Sequence, residues 1–220
     1  MTQHPRPTQR LRLTYSKKGD ARYIGHLDLA RFWERVLRRV NLPLAYSHGY
    51  HPQPRIQFAS ALPVGVAGEN EMMDIWLTER VEPGAWVQPI ARNLPDSFAI
   101  KALVEVPLKL PAMQASLRAS VYHVCWKDVT GDELAMRVKS VLEAEEIMRP
   151  QFKKPKKTYD LRPRIHSIEL SPDEPGCVRM RLAAGSQANA RVSEVIAVLG
   201  LENRKHTILR EKVILDEEKK

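Results

Sequence analysis

The sequence predicts an α+β protein made of two tandem ferredoxin-like (βαββαβ) units with antiparallel sheets. Strand-like and helix-like hydrophobic patterns alternate along the chain, and the order β-α-β-β-α-β occurs once in each half. The length of 220 residues also suits two domains of roughly 100 residues each. We therefore expect a first domain at residues 1–110 and a second at residues 111–220.

The first half begins with a strand at 10–17, where apolar and polar residues alternate. The helix that follows, 27–40, has apolar residues at helical spacing, and Pro43 ends it. Its predicted core face consists of Leu29, Trp33, Val36, Leu37 and Val40. The remaining predicted elements are strands at 55–62 and 71–77, a helix at 85–94 and a strand at 98–106.

The second half repeats this order after a proline-containing connection at 107–111. Thr130 and Glu133 have the spacing of a capping box at the start of its first helix. The predicted elements are a strand at 117–127, a helix at 132–147, strands at 158–170 and 178–182, a helix at 192–201 and a strand at 206–215. The two halves share this pattern without visible sequence identity.

Composition narrows the class of protein. With 43% apolar and 28% charged residues, the chain is predicted to be globular and cytoplasmic, without a membrane span or signal peptide. Cys125 and Cys177 are too few for a disulfide framework or a thiolate metal cluster, and Cys125 is predicted to be a packing residue. No nucleotide-binding glycine motif occurs, and we predict no cofactor. We also predict no metal, because His48 and His51 have the spacing of two ligands but lack a third. The net charge of +9 favours a polyanionic partner.

Arginines line the face of the first helix opposite its core residues. Residues three, four and seven apart stack along a helix, which places Arg31, Arg35, Arg38 and Arg39 on or beside one line. Guanidinium groups hold phosphates through paired hydrogen bonds, so this row suits a sugar-phosphate backbone. The alternative is a solvated helix face with a few weak ion pairs.

A second basic segment, residues 149–164, contains seven basic residues and one acid. Lysines flank Pro155, which is predicted to keep the segment extended, and Phe152 and Tyr159 interleave with the cations as in grooves for single-stranded RNA. The alternative is a solubilising loop. The full predicted RNA-binding set is Lys17, Arg31, Arg35, Arg38, Arg39, His51, Arg55, Lys153, Lys154, Lys156, Lys157, Arg162 and Arg164.

Histidines flank the first helix. His26 precedes it, and His48 and His51 lie in the loop that follows, so the two groups are expected at opposite ends of the helix and do not form a three-histidine metal site. Histidine titrates near neutral pH, which makes His26, His51 and Tyr23 candidate catalytic residues for RNA cleavage, with Lys17 nearby. The alternative is that these residues only cap or pack.

The run RYIGHLDLARFWERVLRRVNLPLAYSHGYHPQPRIQFASALPVGVAGENEMMDIWL resembles the radical SAM-linked protein family, a bacterial domain of unknown function. The segment YDLRP, 159–163, is a further match. This sequence departs from the family pattern at Gly25, where serine is usual, and at Gln53, where a second histidine is usual. Members occur alone or fused to cobalamin-binding radical S-adenosylmethionine enzymes, so the resemblance implies partnership with such an enzyme. The chain has no CxxxCxxC motif for an iron–sulfur cluster of its own.

These observations predict an accessory protein that binds RNA, of the rRNA or tRNA class, and serves a radical S-adenosylmethionine enzyme. The architecture is also similar to that of CRISPR repeat-processing endoribonucleases, although the glycine-rich loop typical of their C-terminal part does not occur in this sequence. Two alternatives therefore stay open: a metal-independent endoribonuclease with a catalytic histidine, and a pure protein–protein adaptor.

Overall fold

The computed structural model describes residues 5–151, 154–185 and 188–216. The chain divides into two compact units, Met1–Ser116 and Leu117–Lys220. Both combine helices with antiparallel strands, which confirms the predicted α+β class. Within the described residues, none of the helices is both long and apolar enough to cross a lipid bilayer.

Among its described residues, the first unit contains four strands, two longer helices and a one-turn helix, besides a 3-10 helix at Gly19–Tyr23. They are β1 (Gln9–Lys17), α1 (His26–Arg39), β2 (Ile56–Phe58), β3 (Ala67–Leu77), α2 (Pro83–Ala91), β4 (Phe98–Val106) and the one-turn helix α3 (Met113–Ser116). Strand β1 pairs with β3 and β4, and β2 pairs with β3, all antiparallel. The strand order is therefore β4-β1-β3-β2.

Helix α1 covers the core of this unit with the predicted face. Leu29, Trp33, Val36 and Leu37 are buried, whereas Val40 is half-buried against the same core. The Trp33 ring packs edge-on against Tyr15 of β1, with ring centroids 4.8 Å apart. Burial of each such side chain contributes about 1.5–3 kcal/mol, so this packing, and not the charged outer face, holds the helix in place.

Strand β1 departs from the half-buried pattern that its alternation predicts. Arg10 and Lys17 are 1% and 0% exposed, because β1 is paired on both sides and is also covered. The Arg10 guanidinium donates to the backbone carbonyls of Leu110 and Pro111, at 2.6 and 3.1 Å. It also donates to the carboxylate of Asp74, which is fully buried.

The predicted boundaries shift where the chain turns. The strand expected at 55–62 has only three residues, and the next strand begins at Ala67 and not at 71. The helix expected at 85–94 begins two residues earlier, with Pro83 in its first turn, and ends at Ala91. A first-turn proline lacks only an N–H that has no partner within the helix, so it is compatible with this earlier start.

The second unit repeats the strand order of the first. Its elements are β5 (Leu117–Trp126), α4 (Gly131–Glu143), β6 (Met148–Gln151), β7 (Lys154–Asp160), β8 (Ile165–Leu170), β9 (Cys177–Ala183), α5 (Val192–Val198) and β10 (His206–Leu215). Strand β5 pairs with β10 and β9, and β9 pairs with β8, all antiparallel. The order β10-β5-β9-β8 matches β4-β1-β3-β2 of the first unit. The Thr130 hydroxyl accepts a hydrogen bond from the Glu133 amide at 3.2 Å, half of the predicted capping box.

The strand predicted at 158–170 is wrong as a single element. Its first part belongs to β7, which pairs with β6 in a separate two-stranded sheet, and a 3-10 turn at Arg162–Arg164 separates it from β8. The Asp160 carboxylate accepts hydrogen bonds from the amides of Ile147 and Arg162, both at 2.9 Å. This side-chain acceptor holds the turn that sequence alternation alone does not reveal.

Candidate nucleic-acid interface

Four arginines project from the outer face of α1. Arg31, Arg35, Arg38 and Arg39, which we call the arginine face, are all exposed, whereas Trp33 on the opposite side is fully buried. The eight helical steps from Arg31 to Arg39 span about 12 Å, so the row extends over about three to four phosphate spacings along the axis of one strand. On this face Arg31 Nη1 lies 3.4 Å from Asp28 Oδ1, a pair in which both side chains are about 70% exposed. Such a pair is weak and leaves the face strongly cationic.

The loop after α1 continues this surface with aromatic and histidine side chains. Residues 46–54, which we call the tyrosine loop, are closed by a β-bridge between Tyr46 and Pro54. The Ser47 amide also donates to the Gln53 carbonyl at 2.8 Å. At the tip, Tyr50 is 100% exposed and His51 is exposed beside it. A fully exposed tyrosine presents both ring faces for stacking with a planar partner.

Two cation–π contacts tie this loop and its flank to the arginines. The guanidinium of Arg38 lies 5.7 Å from the centroid of the Tyr46 ring, which connects the arginine face to the base of the tyrosine loop. Arg55, just after the loop, lies 5.1 Å from the centroid of the Trp76 ring. Arg55 is exposed, so its cation is positioned by the ring and still faces solvent.

Lys17 is not part of this surface. It is fully buried, and its Nζ donates to the Ile24 carbonyl at 2.9 Å. The prediction of Lys17 as an RNA contact is therefore corrected. The error follows from treating β1 as half-exposed when it is a central strand.

The three candidate catalytic residues are not brought to one place. His26 is the first residue of α1, and its ring packs edge-on against Phe58 with centroids 5.2 Å apart. Tyr23 is 58% exposed just before the helix, under the guanidinium of Arg22. His51 lies in the tyrosine loop, which is anchored at the other end of the helix. Lys17, the lysine expected near His26, is fully buried and donates to the Ile24 carbonyl.

Only part of the second basic segment, residues 149–164, is exposed for contact with RNA. The Lys153 and Lys154 side chains lie outside the described residues, while Lys156 and Lys157 are exposed on β7. Arg162 instead bonds within the unit, donating to the Leu142 carbonyl at 2.9 Å.

The neighbouring Arg164 is also used inside the unit. It stacks over the Tyr159 ring at 4.0 Å and donates to the Asn189 carbonyl at 3.0 Å. Burial and a hydrogen bond to Glu194 raise the pKa of Tyr159 to about 12. Arg162 and Arg164 each use part of their guanidinium group within the unit, and their contact with RNA stays a prediction.

A cationic groove on the second sheet was not predicted. A cavity of about 400 Å³ is lined by residues of β5, β8, β9 and β10 and includes Arg179, Arg181, Lys212 and His166. Burial, followed by the charge of Arg181, lowers the pKa of His166. Arg179 and Arg181 are two residues apart on one strand and so share a face, a period-2 signal that was present in the sequence.

A family model described as an uncharacterized protein conserved in bacteria (DUF2344) matches residues 10–192. The chain belongs to this family. The match covers the arginine face, the tyrosine loop and most of the second unit, including Arg179 and Arg181 of the groove. It ends before β10 and therefore before Lys212.

No curated protein matches the chain. Among solved structures, it is similar to a chain of a Cbf5-Nop10-Gar1 complex, with 14% identity, a TM-score of 0.47, and coverage of 94% of this chain and 50% of that chain. It is also similar to a chain of an archaeal box H/ACA sRNP Nop10-Cbf5 complex, with 12% identity, a TM-score of 0.46 and the same coverage. The DUF2344 chain thus spans about half the length of these structures.

Proposed function

We propose that this protein is an accessory RNA-binding protein of the cytoplasm, and that the arginine face and the tyrosine loop form its RNA site. The observation that carries the proposal is the contact of Arg38 with Tyr46, which makes a row of exposed guanidinium groups continuous with an exposed aromatic loop. Arginines neutralise phosphates, and aromatic rings stack on bases. A surface that offers both suits unpaired RNA.

Single-stranded loops or ends of rRNA or tRNA are the preferred targets. Bases in a duplex are already stacked on one another, so a duplex offers no free base face on which the Tyr50 ring could stack. The exposed Lys156 and Lys157, and the groove around Arg181, are candidates for additional backbone contacts.

We also propose that each unit is a ferredoxin-like domain. The support is the repeated βαββαβ order together with the matching strand orders β4-β1-β3-β2 and β10-β5-β9-β8, in which the hairpin β6–β7 is an insertion. The division into domains at 1–110 and 111–220 belongs to the same proposal.

The partnership with a radical S-adenosylmethionine enzyme rests on the sequence resemblance. In this proposal the protein presents RNA to that enzyme. Affinity purification of the intact protein, with and without ribonuclease treatment, tests this partnership. If the protein carries no bound RNA and an iron–sulfur enzyme still co-purifies after ribonuclease treatment, a pure protein–protein adaptor is favoured instead.

The RNA proposal is tested by removing two arginines of the arginine face. We expect the variant R35Q/R38Q to bind an oligo(U) strand and total tRNA about tenfold more weakly at low salt, because two phosphate contacts are lost. The slope of log affinity against log salt should fall in magnitude by about 1.4, or about 0.7 for each contact with a single strand. Fluorescence anisotropy across a salt series measures both quantities.

The matched control is R80Q/R118Q, which lowers the net charge equally, from +9 to +7. These arginines are exposed but paired with Glu105 and Asp216. Equal weakening in both variants, or wild-type affinity that does not depend on salt, would contradict the proposed site. RNA cleavage that survives EDTA and is lost in H26A would replace it with a metal-independent endoribonuclease.

A further inference from the structure

Four potential metal ligands meet at one end of the second sheet. Cys125 of β5 lies directly opposite Cys177 of β9, and the two are joined by a disulfide. The prediction that Cys125 serves only in packing is therefore wrong, because the strand register brings a second cysteine against it. His123 lies two residues before Cys125, on the same face of the strand. Glu174 reaches the group from the β8–β9 turn, and its Oε2 lies 3.1 Å from His123 Nε2. The ligand atoms of all four residues lie within 4.8 Å of one another.

The β8–β9 turn is built to bring its side chains to this place. The Cys177 amide donates to the Glu174 carbonyl at 3.1 Å, and the Ser171 amide donates to the Cys177 carbonyl at 3.0 Å. Gly176 has φ +83°, and its carbonyl accepts from the Trp126 amide at 2.9 Å. A Cβ at Gly176 would lie 2.7 Å from the Trp126 carbonyl oxygen, so this close approach of turn and strand requires glycine.

We propose that the reduced form of this cluster is a zinc site with the ligands His123, Cys125, Glu174 and Cys177. A dithiol or phosphine reductant supplies two electrons, and with two protons these convert the disulfide into two thiols. Each thiol then loses its proton as its sulfur binds Zn²⁺, so zinc binding releases two protons to solvent. The cluster therefore exists in one of two forms: an oxidised form with a disulfide and no metal, or a reduced form in which both thiolates bind zinc.

The distances around His123 already suit a tetrahedral zinc site. With Zn–S of about 2.3 Å and Zn–N of about 2.0 Å, a sulfur and a nitrogen ligand lie roughly 3.5 Å apart. Cys125 Sγ lies 3.8 Å from His123 Nε2 and 3.9 Å from Nδ1. After reduction, the two sulfurs must separate to about 3.8 Å. The imidazole must also turn one nitrogen toward the metal, because Cys125 Sγ is almost equidistant from both ring nitrogens.

The donor set selects zinc among the common divalent ions. Two thiolates and an imidazole are soft or borderline ligands, which exclude Mg²⁺ and Ca²⁺ as preferred occupants. Glu174 is 58% exposed at its side chain, which leaves a path from solvent to the site.

The test uses the 220-residue chain, stripped of metal with a chelator and kept either oxidised or reduced with a phosphine. We expect the reduced form to bind one equivalent of Zn²⁺ in competition with a chromophoric chelator, and the oxidised form to bind at least 100-fold more weakly. With Co²⁺ as the probe, the reduced protein should show a thiolate-to-cobalt charge-transfer band and the intense visible bands of four-coordinate cobalt. X-ray absorption at the zinc edge should show two sulfur ligands.

Variants identify the ligands. C177S and H123A should each weaken zinc binding by at least 100-fold, and E174Q by about 10-fold, whereas H166A, which changes a histidine of the same sheet outside the cluster, should not change it. Circular dichroism checks that each variant is folded. Absence of stoichiometric zinc in the reduced wild type would overturn the proposal without any variant, as would equal binding by the oxidised protein. Neither result bears on RNA binding through the first unit.

Discussion

The buried carboxylate of Asp74 depends on two arginine partners. Its carboxylate is fully buried between two arginines, with Arg10 Nε at 3.0 Å from Oδ2 and Arg12 Nε at 2.8 Å from Oδ1. Arg10 in turn holds the segment that follows β4 through the Leu110 and Pro111 carbonyls. This cluster fixes the centre of the first sheet, and its two arginines are therefore not available to a polyanion.

We expect the substitution Asp74→Asn to lower the free energy of unfolding by about 3–5 kcal/mol, because it leaves the buried Arg10 without its counter-charge. Urea denaturation followed by tryptophan fluorescence measures this change. Asp28→Asn is the matched control. It removes the exposed partner of Arg31 and should cost less than about 1 kcal/mol. Similar small effects of both substitutions would show that the Asp74 cluster contributes little to stability.

Helix α1 has two faces with separate roles. The apolar face, centred on Trp33, packs against the core of the first unit. The opposite arginine face is charged and takes no part in this packing. Substitutions on the arginine face are therefore expected to change binding with little change in stability. This separation makes α1 the most informative element for a functional test.

The β8–β9 turn depends on its glycine. Gly176→Ala places a side chain at φ +83° and within 2.8 Å of the carbonyl oxygens of Trp126 and Val129. We expect a loss of more than about 1 kcal/mol in the free energy of unfolding, since both the backbone conformation and the close contact are unfavourable. Gly131→Ala is the control, because an added Cβ there meets nothing within 4 Å. Thermal unfolding of the two variants, measured side by side, tests this expectation. Equal melting temperatures would contradict the predicted loss of stability in Gly176→Ala.

At the scale of the whole molecule, charge and cross-linking are distributed unequally. The proposed RNA surface belongs to Met1–Ser116, whereas both cysteines belong to Leu117–Lys220. The net charge of +9 is not spread as a uniform coat, because several arginines are used internally and others pair with carboxylates. A basic composition therefore overstates the number of cations that a partner meets.

Reduction of the disulfide should destabilise the molecule when no metal is present. The bridge joins residues 52 apart, and closing a loop of this length stabilises by about 4 kcal/mol in the chain-entropy model. We expect reduction in the presence of EDTA to lower the stability of the second unit by about 2–4 kcal/mol, as measured by urea unfolding of the oxidised and reduced protein. The double variant C125S/C177S controls for effects of the reductant itself, and its stability should not respond to reduction. An unchanged midpoint in the reduced wild type would contradict this expectation.

The local pattern of the sequence determined the elements that bury one face. Trp33 and its apolar neighbours repeat at helical spacing, so α1 and its two faces are visible without any tertiary information. The same holds for β4 and β10, whose predicted and observed bounds agree. The arginine face follows directly, because a helix that buries one side must expose the other.

Only the tertiary structure decided which polar residues are buried and which distant residues meet. Lys17 and Arg10 alternate like surface residues, yet β1 lies between two strands and is buried on both faces. Cys125 meets Cys177, and both meet His123 and Glu174, through the register of β5 with β9 and the turn at Gly176. Strand order arises from contacts between residues far apart in the chain. Hydrophobic periodicity indicates which face of a strand is buried, but it does not say which strand lies beside it.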